Sequence, residues 1–154
     1  MTNQLKKRNP WIKRLLVLGL VAVTGIAITY WVVATDTFSD TKDRKPAYTV
    51  NAIDFIKEFN TDDSAANKKY SDKIITVTGM VSEIEAADTT LNIKFIDSAS
   101  NSYIIFAFQE QYIAEAKTLK IGDITSIKGS CSGGIYSDIL EATAISFKRS
   151  TLNK

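Results

Sequence analysis

The sequence has no histidine in 154 residues and only one cysteine, Cys131. Without histidine, the chain lacks the commonest general base and the commonest metal ligand. A single thiol can neither form an intramolecular disulfide nor provide a metal site. The chain also has no glycine-rich phosphate loop ending in Gly-Lys-Ser/Thr and no nucleophile motif, and a pair such as Glu83 and Glu85 reads as exposed alternates on a strand. These absences predict a protein that is not an enzyme and has no catalytic residues, cofactor or metal.

Acidic residues are absent from the first 35 positions, where five basic residues precede an apolar segment. The segment 15–34 holds 20 residues without a charge, about the length that crosses the hydrocarbon core of a bilayer. Basic residues collect on the cytoplasmic side of membrane helices. The sequence therefore predicts a cytoplasmic basic tail at 1–14 and a transmembrane helix at 15–34 that contacts the lipid bilayer. The chain would be a single-pass protein of the plasma (inner) membrane, with its C-terminal domain outside the cytoplasm.

A cleaved signal peptide is the alternative reading of the same segment. Val32 and Ala34 could serve as the small residues before a cut, which would leave a mature N-terminus at Thr35. The apolar run is longer than the roughly 7–15 residues of a signal-peptide core, and the bulky Tyr30 and Trp31 lie just upstream of the cut. An uncleaved anchor is therefore favoured.

A polar linker is predicted at 35–47, because this stretch lacks periodicity and contains Pro46. A folded domain is predicted at 48–150, beginning with two helices. Apolar residues at helical spacing define the first, with Thr49 or Asn51 as its N-cap, and the second covers about 62–70. The apolar stripe of the first helix comprises Tyr48, Ala52, Phe55, Ile56 and Phe59.

From Asp72 onwards the apolar residues alternate, which predicts strands. The predicted elements are a strand at 74–85, the strands "TLNIKFID" and "YIIFAF", a short helix in "QEQYIAEAKTL", the strand "ITSIKGSC", and a strand at 139–147 that follows Gly133-Gly134. This order, with a helix between strands three and four, is that of a five-stranded OB-fold, a Greek-key barrel. Gly79 interrupts the first strand and is predicted to mark its bend, because glycine kinks form the corners of small barrels.

Three segments resemble a known family: "KKYSDKIITVTGMVSEI", "LKIGDITSIKGSCSGG" and "ILEATAIS". The matching positions are Ala65, Ala66, Tyr70, Val77, Gly79, Val81, Gly122, Asp123, Ile127, Gly129 and Cys131. Thr125 stands where an aliphatic residue is usual. Over roughly 48–147 the chain is similar to the bacterial OB-fold family described as tRNA-anti-like. The resemblance implies the barrel fold and brings no catalytic residues with it.

The charge of the predicted domain bears on its ligand. Residues 36–154 carry 14 basic and 17 acidic side chains, a net charge of −3, which argues against nucleic acid as a partner. The outward side chains of strands two and three, extended by one residue of strand four, form the candidate ligand face: Asn92, Lys94, Tyr103, Ile105 and Lys128. Such a face suits an envelope protein, a peptide, a glycan or a lipid headgroup, unless the N-terminal helix covers it.

The sequence thus predicts a membrane-anchored extracytoplasmic module that binds or scaffolds in the bacterial envelope. An OB-fold that binds single-stranded DNA or RNA is the alternative.

Overall fold

The computed structural model describes residues 10–35 and 40–153, with side chains in the first range given at 11 and 19–30 only. The chain divides into two compact units, Met1–Phe38 and Ser39–Lys154. The first unit contains helix α1, Pro10–Thr35. Most of the predicted basic tail, at 1–9, lies outside the described residues. Within the described part of the chain, no helix meets the combined length and apolarity that a membrane span requires.

Helix α1 carries exposed apolar side chains on all sides along its described stretch. Leu20, Val21, Val23, Ile26 and Ile28 are each more than three-fifths exposed. The two threonine hydroxyls in this stretch donate back to the helix, from Thr24 to the Leu20 carbonyl and from Thr29 to the Gly25 carbonyl, both at 2.8 Å. The polar atoms of these side chains are therefore satisfied within the helix.

The second unit is mainly β. Its elements in chain order are β1 Tyr48–Asn51, α2 Ala52–Thr61, α3 Asp63–Tyr70, β2 Ile74–Met80, β3 Glu83–Ala86, β4 Leu91–Ile96, β5 Tyr103–Phe108, a 3-10 turn at Glu110–Tyr112, α4 Ile113–Ala116, β6 Ile124–Ser137 and β7 Ala142–Leu152. The strands form one sheet in the order β1-β2-β6-β7-β5-β4-β3. Strands β5 and β7 are parallel, and β2–β6, β6–β7, β4–β5 and β3–β4 are antiparallel.

This arrangement confirms the predicted OB-like barrel, although the number of strands differs from five. The strand predicted at 74–85 supplies both β2 and β3, which stand near opposite ends of the strand order. The barrel therefore closes through this one stretch of chain. The other additional strand is β1, which pairs in parallel with β2.

The bend in the first strand lies at Val81 and Ser82, not at Gly79 as predicted. The amide of Val81 still donates to Asp123 beside β6, whereas the next amide, of Ser82, donates to Lys94 of β4. Adjacent residues of the chain thus bond to two different strands, so the chain must bend between Val81 and Ser82. Gly79 lies in regular pairing with Thr125. Its role is spatial, because an added Cβ would be 2.7 Å from both Ala52 Cβ and Phe95 Cδ2.

The predicted boundary between strands four and five is also wrong. Strand β6 continues through Gly133-Gly134, and the turn falls later, so that Ile139 precedes β7 instead of belonging to it. The pairing register shifts between Cys131 and Gly133, and Gly133 has a φ of +103°. A bulge with a left-handed glycine lets a long strand bend without ending. The sequence pattern predicted a turn at this bulge.

Helix α2 starts later than the apolar stripe suggested, because Tyr48 belongs to β1. Asn51 is the N-cap and accepts a hydrogen bond from the Ile53 amide at 2.9 Å. The remaining stripe residues, Ala52, Phe55, Ile56 and Phe59, lie in the barrel core. The helix between strands three and four is a short one, with Ile113 and Ala116 buried.

Residues 40–47, hereafter the strap, pack on the barrel; they form the described part of the predicted linker, whereas 36–39 lie outside the described residues. Thr41 is 1% exposed. The Tyr112 hydroxyl and the Gln111 side-chain amide both donate to the Asp40 carboxylate. The Ala47 amide donates to the Ile74 carbonyl at 2.7 Å.

Candidate functional site

The open face is the outer surface of β3, β4 and β5. Residues of β4 alternate between buried and half-buried, as do those of β5, so the half-buried set points away from the core. Four of the five predicted ligand-face residues lie here, namely Asn92, Lys94, Tyr103 and Ile105. Lys94 and Ile105 are cross-strand partners. Because α2 places its apolar stripe in the barrel core, that stripe does not cover this face.

Charge on the open face is compensated within the face. The Lys94 ammonium contacts the carboxylates of Glu83 at 3.3 Å and Glu85 at 2.5 Å. The hydrogen bond to Glu85 is the main reason that the pKa of Lys94 is raised. The same bond lowers the pKa of Glu85, to which Asn92 also donates at 3.4 Å. Lys94 further lies 5.6 Å from the centre of the Tyr103 ring. The sequence reading placed Lys94 correctly but missed its two acidic partners.

An apolar row crosses the outer surface beside these charges. Ile96 of β4 pairs with Tyr103, Tyr103 with Ala144 of β7, and Ala144 with Ile135 of β6. Cross-strand partners project from the same side of a sheet, so the four side chains form one line. Ile135 is 76% exposed, and Ile139 in the following turn is 93% exposed. The row therefore runs from the open face towards an apolar β6–β7 turn.

Lys128 lies apart from the other four predicted residues. It faces outward on β6, between Thr76 of β2 and Thr151 of β7. All three residues are buried. The Lys128 ammonium donates to the main-chain carbonyls of Lys42 at 2.5 Å and Arg44 at 3.2 Å. Lys128 thus belongs to a second surface of the barrel, the covered face, which lies beneath the strap.

A polar groove of about 730 Å³ lies at the β6–β7 end of the barrel. It is enclosed by the α2–α3 junction, the β4–β5 turn and the β6–β7 hairpin. Its floor is organised by Ser102, which donates to Asn60 at 3.0 Å and accepts from the Thr143 amide at 3.0 Å. Tyr136 and Glu141 line the hairpin side. The alternating pattern of the strands gave no signal of this groove, which is assembled from three loops.

Among the described residues, no group of three or more Cys, Asp or Glu residues is placed to hold a metal ion. Cys131 is fully buried, and burial raises the pKa of its thiol to about 11. A thiol in this environment is largely protonated at neutral pH and is a poor nucleophile.

Comparison with known proteins agrees with this architecture. Residues 1–141 match the family tRNA_anti-like. The chain belongs to the tRNA_anti-like family. This membership confirms the resemblance that the sequence motifs suggested, and no curated protein sequence matches the chain closely enough to add to it.

Solved structures that are similar to this tRNA_anti-like chain have low sequence identity to it. A lipoprotein of Klebsiella pneumoniae with a proposed nucleic-acid-binding role is 16% identical, with a TM-score of 0.54, over 68% of this chain and 91% of that one. The asparaginyl-tRNA synthetase of Entamoeba histolytica is 15% identical, with a TM-score of 0.42, over 70% of this chain and 24% of that one. The likeness to the lipoprotein concerns the fold alone, because a sequence identity of 16% carries no ligand across.

Proposed function

We propose that the barrel is a non-catalytic binding module for a peptide or protein segment and that helix α1 anchors it in the bacterial envelope. The observation that carries the binding role is the apolar row Ile96–Tyr103–Ala144–Ile135 on a face whose lysine is already neutralised. A partly exposed apolar row of this kind favours a ligand whose apolar side chains can be buried against it. The four side chains lie in one line across neighbouring strands, and a ligand in an extended conformation could follow that line.

Nucleic acid is the second candidate, because OB-folds bind single strands through aromatic stacking and basic grooves. Tyr103 could stack on a base. However, Glu83 and Glu85 compensate Lys94, and phosphate binding depends on uncompensated positive charge. The open face therefore supports a polypeptide ligand better than a polyanion.

A photo-crosslinking amino acid in place of Tyr103, in the full chain within intact membranes, tests the binding role. We expect a nuclease-resistant adduct that is lost when Ile105→Asp adds a charge beside the crosslinker. The matched control carries the crosslinker at Lys117, an exposed position after α4. An adduct digested by nuclease would support the nucleic-acid alternative, and equal yields at both positions would contradict a specific site.

The anchoring role is supported by the 20 uncharged residues at 15–34 and by five basic residues before them. The exposed apolar side chains on all sides of the described part of α1 favour a nonpolar environment. The internally bonded hydroxyls of Thr24 and Thr29 are compatible with one, since a bilayer core supplies no water for them.

A reporter that is active only outside the cytoplasm, fused after Lys154, tests the proposed topology. We expect activity, together with a membrane-bound chain that retains residues 15–34 by mass spectrometry. Activity of a cytoplasm-only reporter at the same position would contradict the topology. A mature N-terminus at Thr35 would instead identify a cleaved signal peptide.

A further inference from the structure

The strap contains two peptide bonds whose sequence matches the specificity of proteases that cut after lysine or arginine. These are Lys42–Asp43 and Arg44–Lys45. A third basic residue, Lys45, precedes Pro46, and a bond before proline resists proteases that cut after lysine or arginine. The side chains of Lys42 and Arg44 are exposed, so a specificity pocket could reach them.

The carbonyl groups of these same two bonds are held by Lys128. Its ammonium donates to the Lys42 carbonyl at 2.5 Å and to the Arg44 carbonyl at 3.2 Å. A protease must polarise the carbonyl that it attacks, and here each carbonyl oxygen already faces the barrel. Lys128 is 7% exposed and lies on a strand, so it presents its ammonium from a fixed position.

The conformation of the strap also excludes cleavage while it is docked. The Asp43 amide donates to the Asp40 carbonyl at 3.1 Å, and the Arg44 amide donates to the Thr41 carbonyl at 3.3 Å. These bonds fold 40–44 into tight turns. Proteases generally bind their substrates as extended strands, which pair through main-chain hydrogen bonds. The strap must leave Lys128 and straighten before either bond can enter an active site.

The contacts that hold the strap are largely polar and can therefore be exchanged for water. Besides Lys128, they include the hydrogen bonds from Tyr112 and Gln111 to Asp40 and a Lys42–Glu115 ion pair at 3.9 Å. Beneath the strap, the Thr76 hydroxyl is buried without a hydrogen-bond partner in the described structure. A polar, incompletely satisfied interface opens at lower cost than an apolar one.

We propose that Lys128 keeps the strap closed and thereby controls cleavage of the Lys42–Asp43 and Arg44–Lys45 bonds by any protease that cuts after lysine or arginine. Cleavage adds one water across the Lys42–Asp43 or the Arg44–Lys45 amide, leaving a carboxylate on the basic residue and an amine on the next. Either cut separates residues 1–42 or 1–44, which include α1, from the barrel strands. Release of the barrel from a membrane would rest on the proposed anchoring, whereas closure by Lys128 does not depend on it or on the ligand of the open face.

Limited digestion of the purified full chain with trypsin, with each cut assigned by mass spectrometry, tests the proposal. Lys128→Thr replaces the lysine with the residue type found on both sides of it, at Thr76 and Thr151. We expect cleavage after Lys42 and Arg44 to become about ten-fold faster, since proteolysis follows the population of the open form. Lys117→Thr is the control, because it removes an exposed lysine whose side chain has no contact with the strap in the described structure, and it should leave both rates unchanged.

The position of the cuts distinguishes strap opening from unfolding. If Lys128→Thr unfolded the whole barrel, trypsin would also cut after Lys73 and Lys148. In that case Asp40→Asn, which alters the strap while leaving every barrel residue intact, would show in the same assay whether opening of the strap alone speeds cleavage. Cleavage of wild type after Lys42 as fast as in Lys128→Thr would overturn the proposal. It would also be overturned if neither strap variant were cut faster than Lys117→Thr.

Discussion

The open face and the covered face each present one lysine among half-buried or buried neighbours, yet the two lysines do different things. Lys94 contacts two side-chain carboxylates, Glu83 and Glu85, whereas Lys128 contacts two main-chain carbonyls of the strap. A carboxylate partner cancels charge and leaves the surface available. A carbonyl partner binds another segment of chain and removes the surface from solvent. The residue type is the same, and the partner decides the role.

The largest expected effect comes from Gly79, in the stretch of chain that serves both faces through β2 and β3. In Gly79→Val the new side chain would meet Ala52 and Phe95, each 2.7 Å from the position of its Cβ. We expect a loss of about 1–3 kcal/mol in the free energy of unfolding, the usual range for overpacking. Urea denaturation of the full chain measures it.

Met80→Val is the matched control for this experiment, because Met80 is the neighbouring strand residue and is 55% exposed. It should change stability little. Equal stability of Gly79→Val and Met80→Val would mean that α2 and Phe95 can move aside, and that the glycine is not needed for packing.

A direct comparison of the two lysines sharpens the contrast between the faces. Lys128→Met removes two hydrogen bonds from a buried ammonium, and such charged bonds contribute about 1.5–3 kcal/mol each before the cost of burying the charge is subtracted. Lys94→Met removes ion pairs with two carboxylates that are nearly half exposed, for which less than about 1 kcal/mol is usual. We therefore expect the larger loss of stability in Lys128→Met. A larger loss of stability in Lys94→Met than in Lys128→Met would contradict the assignment of Lys128, and not Lys94, as the lysine that holds the fold together.

Low pH is expected to weaken the docking of the strap on the covered face, with a smaller effect on stability than the substitutions above. The hydrogen bond from Tyr112 is the main reason that the pKa of Asp40 is lowered, with further bonds from the Lys42 amide and Gln111. A carboxylate whose pKa is lower in the folded state stabilises that state above its unfolded pKa, near 3.9, and the contribution is lost as the pH falls through the folded pKa. The strap should accordingly be well docked at pH 5 and above and loosen below about pH 4.

Amide hydrogen exchange of the strap, corrected for the intrinsic pH dependence, measures this effect. Protection of the amides at 42–44 should fall between pH 5 and pH 3 in wild type. In Asp40→Asn the protection should be lower at pH 5 and should change less over the same interval. Unchanged protection in wild type at pH 3 would show that Asp40 does not hold the strap.

Much of the barrel was predictable because its strands obey simple alternation. The buried residues Ile75 and Val77 of β2, and Ile104 and Phe106 of β5, appear in the sequence at every second position. Four of the five predicted face residues follow from the same alternation. The bulge at Gly133 was not predictable in this way, because a left-handed glycine within a strand has the same local signature as a turn.

The sequence by itself determined the uncharged segment at 15–34, the excess of acid after it, the order of β4, β5, the short helix and β6 along the chain, and the family. Each of these depends on composition or on spacing along the chain. Only the tertiary structure decided what each polar side chain contacts, because partners such as Lys128 and the Lys42 carbonyl are 86 residues apart. It also decided that Gly79 provides space and not a bend, since Ala52 and Phe95 approach it from elements distant in sequence. Side-chain direction follows from local periodicity, but contact between distant segments follows from how the barrel closes.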